Sequence, residues 1–151
     1  MNKKGFTLIE LLAVILILGI IALIAIPTVN SIITESKVGS MKSTANNIVT
    51  AYERYAQLQD LRGADKIMDF NGQTGDVIKT QIDLKGDVPD TIEVLMLNSN
   101  GDALIKFTTD GIQCWNYGND ASASDQSTYP EDVPTTNHKP ISMVCDKEKA
   151  N

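Results

Sequence analysis

Between Phe6 and Ile26 the chain runs for 21 residues with a single charge, Glu10. At ~1.5 Å rise per residue a helix of that length covers roughly 30 Å, the hydrocarbon thickness of a bilayer, so the stretch predicts a membrane-spanning helix. Past Pro27 the helical period persists while the composition changes. Val29, Ile32, Ile33, Met41, Ala45, Ile48, Val49, Tyr52 and Ala56 recur at three- and four-residue steps, with Asn, Ser, Lys and Glu between them. That is an amphipathic helix with one apolar and one wet face. It should end near Asp60 to Gly63, where Arg62-Gly63 supplies a cation and a terminal glycine. Residues 64 to 76 hold Asn71-Gly72 and Thr74-Gly75-Asp76 and predict a connecting loop with a short helical turn at Lys66 to Phe70. Ile82 to Leu84, Ile92 to Leu97, Ala103 to Thr108 and Ile112 to Tyr117 then predict short strands of an antiparallel meander. The clearest hairpin signal is Asn100-Gly101, since Asn-Gly supplies the positive φ angles of a tight turn. A sheet with one apolar face needs cover, and the helix face from Val29 to Ala56 can give it. The expected fold is α+β: a long amino-terminal helix, its amphipathic half packed on a small antiparallel sheet.

Three residues punctuate the apolar segment. Lys3 and Lys4 lie before it and no further Lys or Arg occurs until Lys37, a bias that puts the amino terminus in the cytoplasm and the remainder outside. A carboxylate inside a membrane segment is disfavoured by roughly 2.5 to 3.5 kcal/mol near the centre, less near an end. Glu10 therefore calls for a purpose, and no partner for it is visible in the sequence. A cleavable secretory signal would have a shorter apolar core and an A-x-A-like site after it, whereas this segment ends in Ile-Pro. Gly19 and Pro27 are weak points for a helix. Close helix packing at Gly19 and a simple kink at Pro27 are their plainest explanations.

At Lys4-Gly5-Phe6-Thr7-Leu8-Ile9-Glu10-Leu11-Leu12, followed by the apolar helix, Gly19 and Pro27, the chain resembles the class III signal of type IV pilins and pseudopilins. The resemblance covers about the first thirty residues. It implies that a membrane-bound prepilin peptidase with aspartate chemistry cuts after Gly5 and methylates the new terminus at Phe6. It implies that Glu10 serves assembly, and that the helix can melt between Gly19 and Pro27 when subunits pack. The organisation expected is a leader over 1–5, a membrane and filament-core helix over 6–26, an amphipathic helix over 27–62 and an extracytoplasmic sheet domain over 63–151. The expected product is a homo-oligomeric helical filament serving adhesion, motility or DNA uptake. Its partners would be the peptidase, an assembly ATPase and a platform membrane protein. A pseudopilin of a secretion or competence machine shares these mechanics. A membrane-anchored binding module that never polymerises is the alternative of another class, and it leaves Glu10 without a use.

Composition changes the picture in two ways. The chain carries a net charge of −6, and removal of residues 1–5 leaves 11 basic against 19 acidic side chains, −8. Such a surface is a poor binder of polyanions, which speaks against a reading that starts with nucleic acid or heparin. The two cysteines, Cys114 in the last meander strand and Cys145 after the apolar run from Ile141, bracket a polar stretch from Gly118 to Pro140. In a domain outside the membrane they point to a disulfide pinning the tail to the sheet, the alternative being two unpaired buried thiols. Pilins often close a variable loop in this way, which favours the bond.

No chemistry emerges elsewhere. His138 is the sole histidine, too few for a zinc site or a catalytic dyad, and it reads as a solvated loop residue. The Ser and Asp residues from Asn119 to Ser127 lack the spacing of a calcium loop. Trp115 and Tyr117 suit packing better than a ligand surface. The chain is expected to be no enzyme and to need neither metal nor cofactor.

Overall fold

The computed structural model describes residues 5–63, 68–118, 130 and 134–147. Helix α1 runs from Leu8 to Leu61, 54 residues, with Pro27 inside it. Two compact units divide the chain, Met1–Lys37 and Val38–Asn151. In the first, every described residue is exposed except the half-buried Thr34. The unit has helix but no core. Gly19 and Pro27 are both helical, a Cβ at Gly19 would meet nothing within 4 Å, and the Thr28 hydroxyl donates to the Ile24 carbonyl (3.2 Å). The apolar face expected from Val29 onward needs correction. Val29, Ile32 and Ile33 are 49%, 60% and 49% exposed, and the residues of α1 that join the core begin at Val38 and Met41.

In the second unit Ala45, Ile48 and Tyr52 of α1 pack with Ile105, Phe107, Ile112 and Cys114 of the sheet. Each fully buried aliphatic or aromatic side chain there contributes roughly 1.5 to 3 kcal/mol. After α1 come β1 (Gln73–Thr74), α2 (Gly75–Gln81), β2 (Thr91–Ile92), β3 (Val94–Leu97), β4 (Ala103–Thr109), β5 (Ile112–Trp115) and β6 (Val144–Lys147). β1 and β2 form a two-stranded sheet, and β3-β4-β5-β6 a four-stranded one, antiparallel throughout. The alternation along β4 sends Ala103, Ile105 and Phe107 into the main core. Leu104 joins Val94, Met96 and Tyr117 in a second cluster.

Ile82 to Leu84 is not a strand. α2 begins within the expected loop, at Gly75-Asp76, and continues through residues 77–81, and Ile82 and Leu84 close its carboxy-terminal end. The Leu84 N–H reaches back to the Lys79 carbonyl (3.1 Å) across Asp83, which takes φ 50°. This is the six-to-one bond of a Schellman ending, with Asp where glycine is usual. The helix starts where it does because Gly75 brings the chain against Pro89. Its N–H donates to the Asp90 carbonyl (2.9 Å), and any Cβ there would collide with the Pro89 carbonyl oxygen.

The hairpins also differ from expectation. Asn98 to Asp102 connect the paired Leu97 and Ala103, so Asn100-Gly101 lies in a five-residue loop, and only Gly101 of the two has positive φ. The tight two-residue turn is Asp110-Gly111, φ 50° and 69°, between the paired Thr109 and Ile112. The helical turn expected at Lys66 to Phe70 falls partly outside the described residues, and Met68 to Phe70 are not helical.

Candidate functional site

The start of α1 is built by reciprocal hydrogen bonds. The Thr7 N–H and Thr7 hydroxyl both donate to Glu10 Oε2, each at 2.8 Å, and the Glu10 N–H donates to the Thr7 hydroxyl oxygen at 3.3 Å. With α1 beginning at Leu8, Thr7 is the capping residue and Glu10 sits three positions on. The pair is a capping box, legible in Thr7-x-x-Glu10 though sequence reasoning found Glu10 partnerless. It satisfies two donors that a helix otherwise leaves open. It also sets the carboxylate at the positive end of the helix. Gly5 and Phe6 precede the helix; Phe6 is 89% exposed, and a Cβ at Gly5 would meet nothing within 4 Å. The fold itself therefore places no demand for glycine at that position.

At the other end of the chain Cys114 and Cys145 are bonded, their Cα atoms 4.1 Å apart. They face each other in the ladder of β5 and β6, so the bond fixes the register of the last strand. A one-residue slip would turn every side chain of β6 to the other face. The segment leading to it is held without covalent help. Ser99 N–H donates to the Thr136 carbonyl (2.6 Å) and Ile141 N–H to the Asn116 carbonyl (2.7 Å). The Asn98 side chain donates to the His138 carbonyl (3.1 Å), and the buried Lys106 ammonium to the Pro130 carbonyl (2.6 Å). His138 is half-buried, not solvated as expected. Its Nδ1 accepts from the Thr135 N–H (3.0 Å) and its ring meets Tyr117 edge-on at 6.0 Å.

Asn116 had no signal in the sequence. Its Oδ1 accepts from the Ile105 N–H (2.7 Å) and its Nδ2 donates to the Ala103 carbonyl (2.8 Å). A side chain thus continues the β4–β5 ladder beyond Trp115. Tyr52, from the helix, donates its hydroxyl to the Met68 carbonyl (3.0 Å). Burial, with the Asp69 charge second, pushes that hydroxyl well above the ordinary tyrosine range. Among the described residues no three His, Cys, Asp or Glu side chains converge as a metal site. The polar run from Asn119 to Ser127 lies outside the described residues.

Residues 1–26 match the family described as the prokaryotic N-terminal methylation motif. Three curated sequences of the type IV major fimbrial protein FimA of Dichelobacter nodosus are each 47% identical to the chain over 51 residues. The amino-terminal segment is similar to that of type IV fimbrial proteins. The pilin match covers 34% of the chain and 33% of the first of these relatives, about a third of its length. The architecture, a long apolar amino-terminal helix followed by small antiparallel sheets, is pilin-like as well. No solved structure matches the chain. The matched motif contains Gly5, Phe6, Thr7 and Glu10, whereas Cys114 and Cys145 lie in the Val38–Asn151 unit, outside it.

Proposed function

We propose that the chain is a structural subunit of a type IV pilus, made as a membrane-anchored precursor and polymerised through α1. What carries this reading is the methylation motif over residues 1–26 leading into a helix whose described side chains are all exposed from Phe6 to Ile33. α1 is long and apolar enough to cross a membrane. At roughly 25 cal/mol per Å² such a surface cannot stay in water. Lipid covers it in the precursor and neighbouring helices cover it in the filament.

In this reading residues 1–5 are a cytoplasmic leader, 6–26 the membrane and core helix, 27–62 the amphipathic helix and 63–151 the outer domain. Prepilin peptidase hydrolyses the Gly5–Phe6 bond and the Phe6 amine is methylated. The new cation then lies four positions before Glu10. Both Thr7 bonds go to Oε2 of Glu10, so Oε1 takes no part in the capping box and serves the amine of a neighbouring subunit. In apolar surroundings one charge contact is far stronger than in water and sets a register that aliphatic contact alone does not. Gly19 to Pro27 is the stretch that loses helix as subunits pack. An assembly ATPase and a platform membrane protein drive the process. The chain itself performs no catalysis, and its charge of −8 after processing keeps nucleic acid away unless another subunit recruits it.

The relatives are major fimbrial proteins, which favours a pilus over the short piston of a pseudopilin. Electron microscopy with intact-mass measurement tests the proposal. Long surface filaments whose subunit begins at methylated Phe6 are expected, and a subunit retaining Met1 overturns the processing step. Glu10→Leu should leave insertion and the disulfide intact and sharply reduce filament yield. Normal yield from that variant would remove the carboxylate from assembly.

A further inference from the structure

A polar groove in the Val38–Asn151 unit has no part in polymerisation as proposed above. It lies between the last turns of α1 and the carboxy-terminal end of α2, and consists of two adjoining cavities, about 340 Å³ and about 250 Å³. Ala51, Arg54 and Asp83 line both. On α1 the residues Asn47, Ala51, Arg54 and Leu58 follow three- and four-residue steps, so one helix face forms the wall, and Ala51 leaves room where a larger side chain would fill it. Lys85 and Thr50 belong to the first cavity. Arg62, Gln59, Gln81 and Tyr55 belong to the second. Three cations thus gather along one groove of a chain whose net charge is −6. Among the described residues none of the three is in an ion pair.

The opposite wall holds the exception. Asp83 sits at φ 50°, where glycine would be less strained, and brings a carboxylate into the cationic groove. A site for anions alone gains nothing from that carboxylate. A ligand carrying both carboxylate and hydroxyl groups uses all of the walls: its anion meets Arg54, Arg62 or Lys85, and its hydroxyls donate to Asp83 and exchange hydrogen bonds with the amides of Asn47, Gln59 and Gln81.

We infer that this groove binds an acidic sugar, a short oligosaccharide bearing carboxylates. The combined size falls in the range of small-ligand sites. The overall negative charge of the chain disfavours every long polyanion, nucleic acid and acidic polysaccharide alike, so three local cations suit a short ligand of few charges, and an acidic peptide offers anions without the row of hydroxyl donors. The inference stands whether or not the chain polymerises.

The test uses the full chain in detergent micelles, titrated with trigalacturonic acid and followed by calorimetry. The neutral galactose trimer and a pentaglutamate peptide serve as the other probes. Saturable binding with Kd of roughly 0.1 to 1 mM is expected for the acid sugar. Arg54→Gln should weaken it by about tenfold, the scale of one lost charge-assisted contact. Asp83→Gly should also weaken it by about tenfold while leaving Tm unchanged or raised, because glycine relieves the left-handed backbone. Absence of saturable binding overturns the inference, as does insensitivity to Arg54→Gln. Equal binding of the neutral trimer overturns the anionic half, and equal binding of pentaglutamate assigns the groove to an acidic protein segment instead.

Discussion

Leu16 and Ile48 are both aliphatic residues of α1, yet Leu16 is 62% exposed and Ile48 is 0% exposed. Around Leu16 the helix is apolar on every side, so no direction is marked for a partner, and the unit that contains it forms no core. Around Ile48 the apolar residues form a stripe among Asn46, Asn47 and Glu53, and a stripe can face only one way. The same backbone element therefore supports two kinds of chemistry. One half needs a surrounding medium, and the other needs a particular sheet.

This contrast can be broken experimentally, because the chain has one tryptophan and Trp115 is buried in the sheet unit. Its fluorescence reports the Val38–Asn151 unit alone. Phe107→Ala should lower stability by about 3 to 5 kcal/mol in urea titrations of the full chain in micelles, the cost of a large cavity in a fully packed site. Ile15→Ala in the same assay should change it by less than about 0.5 kcal/mol. A large effect of Ile15→Ala would abolish the distinction between the halves.

Replacing both Cys114 and Cys145 by Ala is next in size. Closing a loop with sequence separation 31 stabilises by about 3 to 4 kcal/mol on chain-entropy grounds. The tail keeps its hydrogen bonds at Ser99, Asn98 and Asn116 in the variant, so hydrogen exchange should show β6 opening while Thr136 and His138 stay docked. Gly75→Ala should cost about 1 to 3 kcal/mol, the range for forcing a methyl into a filled space, here against the Pro89 carbonyl. An unchanged melting temperature would mean that the Pro89 segment yields.

The smallest effect belongs to Tyr52. Its folded hydroxyl titrates above the ordinary tyrosine value because of burial and Asp69. The unfolded chain therefore loses that proton first as pH rises. Stability from this group is complete below about pH 10 and falls above it. Tyr52→Phe removes the bond to Met68, costs about 1 kcal/mol and should flatten that alkaline slope. A slope unaltered by the substitution would assign the pH dependence to other groups.

The legible parts of the sequence were those with long periods. Twenty-one nearly uncharged residues, a helical stripe from Met41 to Ala56, and the apolar runs at Leu95 and Leu104 each repeat a signal often enough to outweigh local exceptions. α2 has only seven residues, and Gly75-Asp76 reads as turn until the Pro89 carbonyl supplies the reason for glycine. Ile82 and Leu84 are both buried with an exposed Asp83 between them, which imitates strand alternation although a helix ending produces it. β6 is short and half polar, and only Cys145 marks it. The capping box was visible in Thr7 and Glu10, but the place of Glu10 inside an apolar segment drew attention to its membrane cost and its use in assembly instead of to the threonine three residues before it. The role of Asn116 had no linear signature, because its partners lie on a neighbouring strand.

That asparagine has a consequence for durability. Asparagine side chains age when the next backbone nitrogen attacks the amide carbon and ammonia departs, leaving an aspartate or its isomer. At Asn116 both ends of the amide are engaged, Oδ1 by Ile105 and Nδ2 by Ala103, and the ring closure would require both bonds to open together. Replacement of the Nδ2 by a carboxylate oxygen would set acceptor against acceptor at Ala103. The ladder therefore shields its own most perishable member for as long as the sheet stays folded, and an aged Asn116 would be a record of past unfolding.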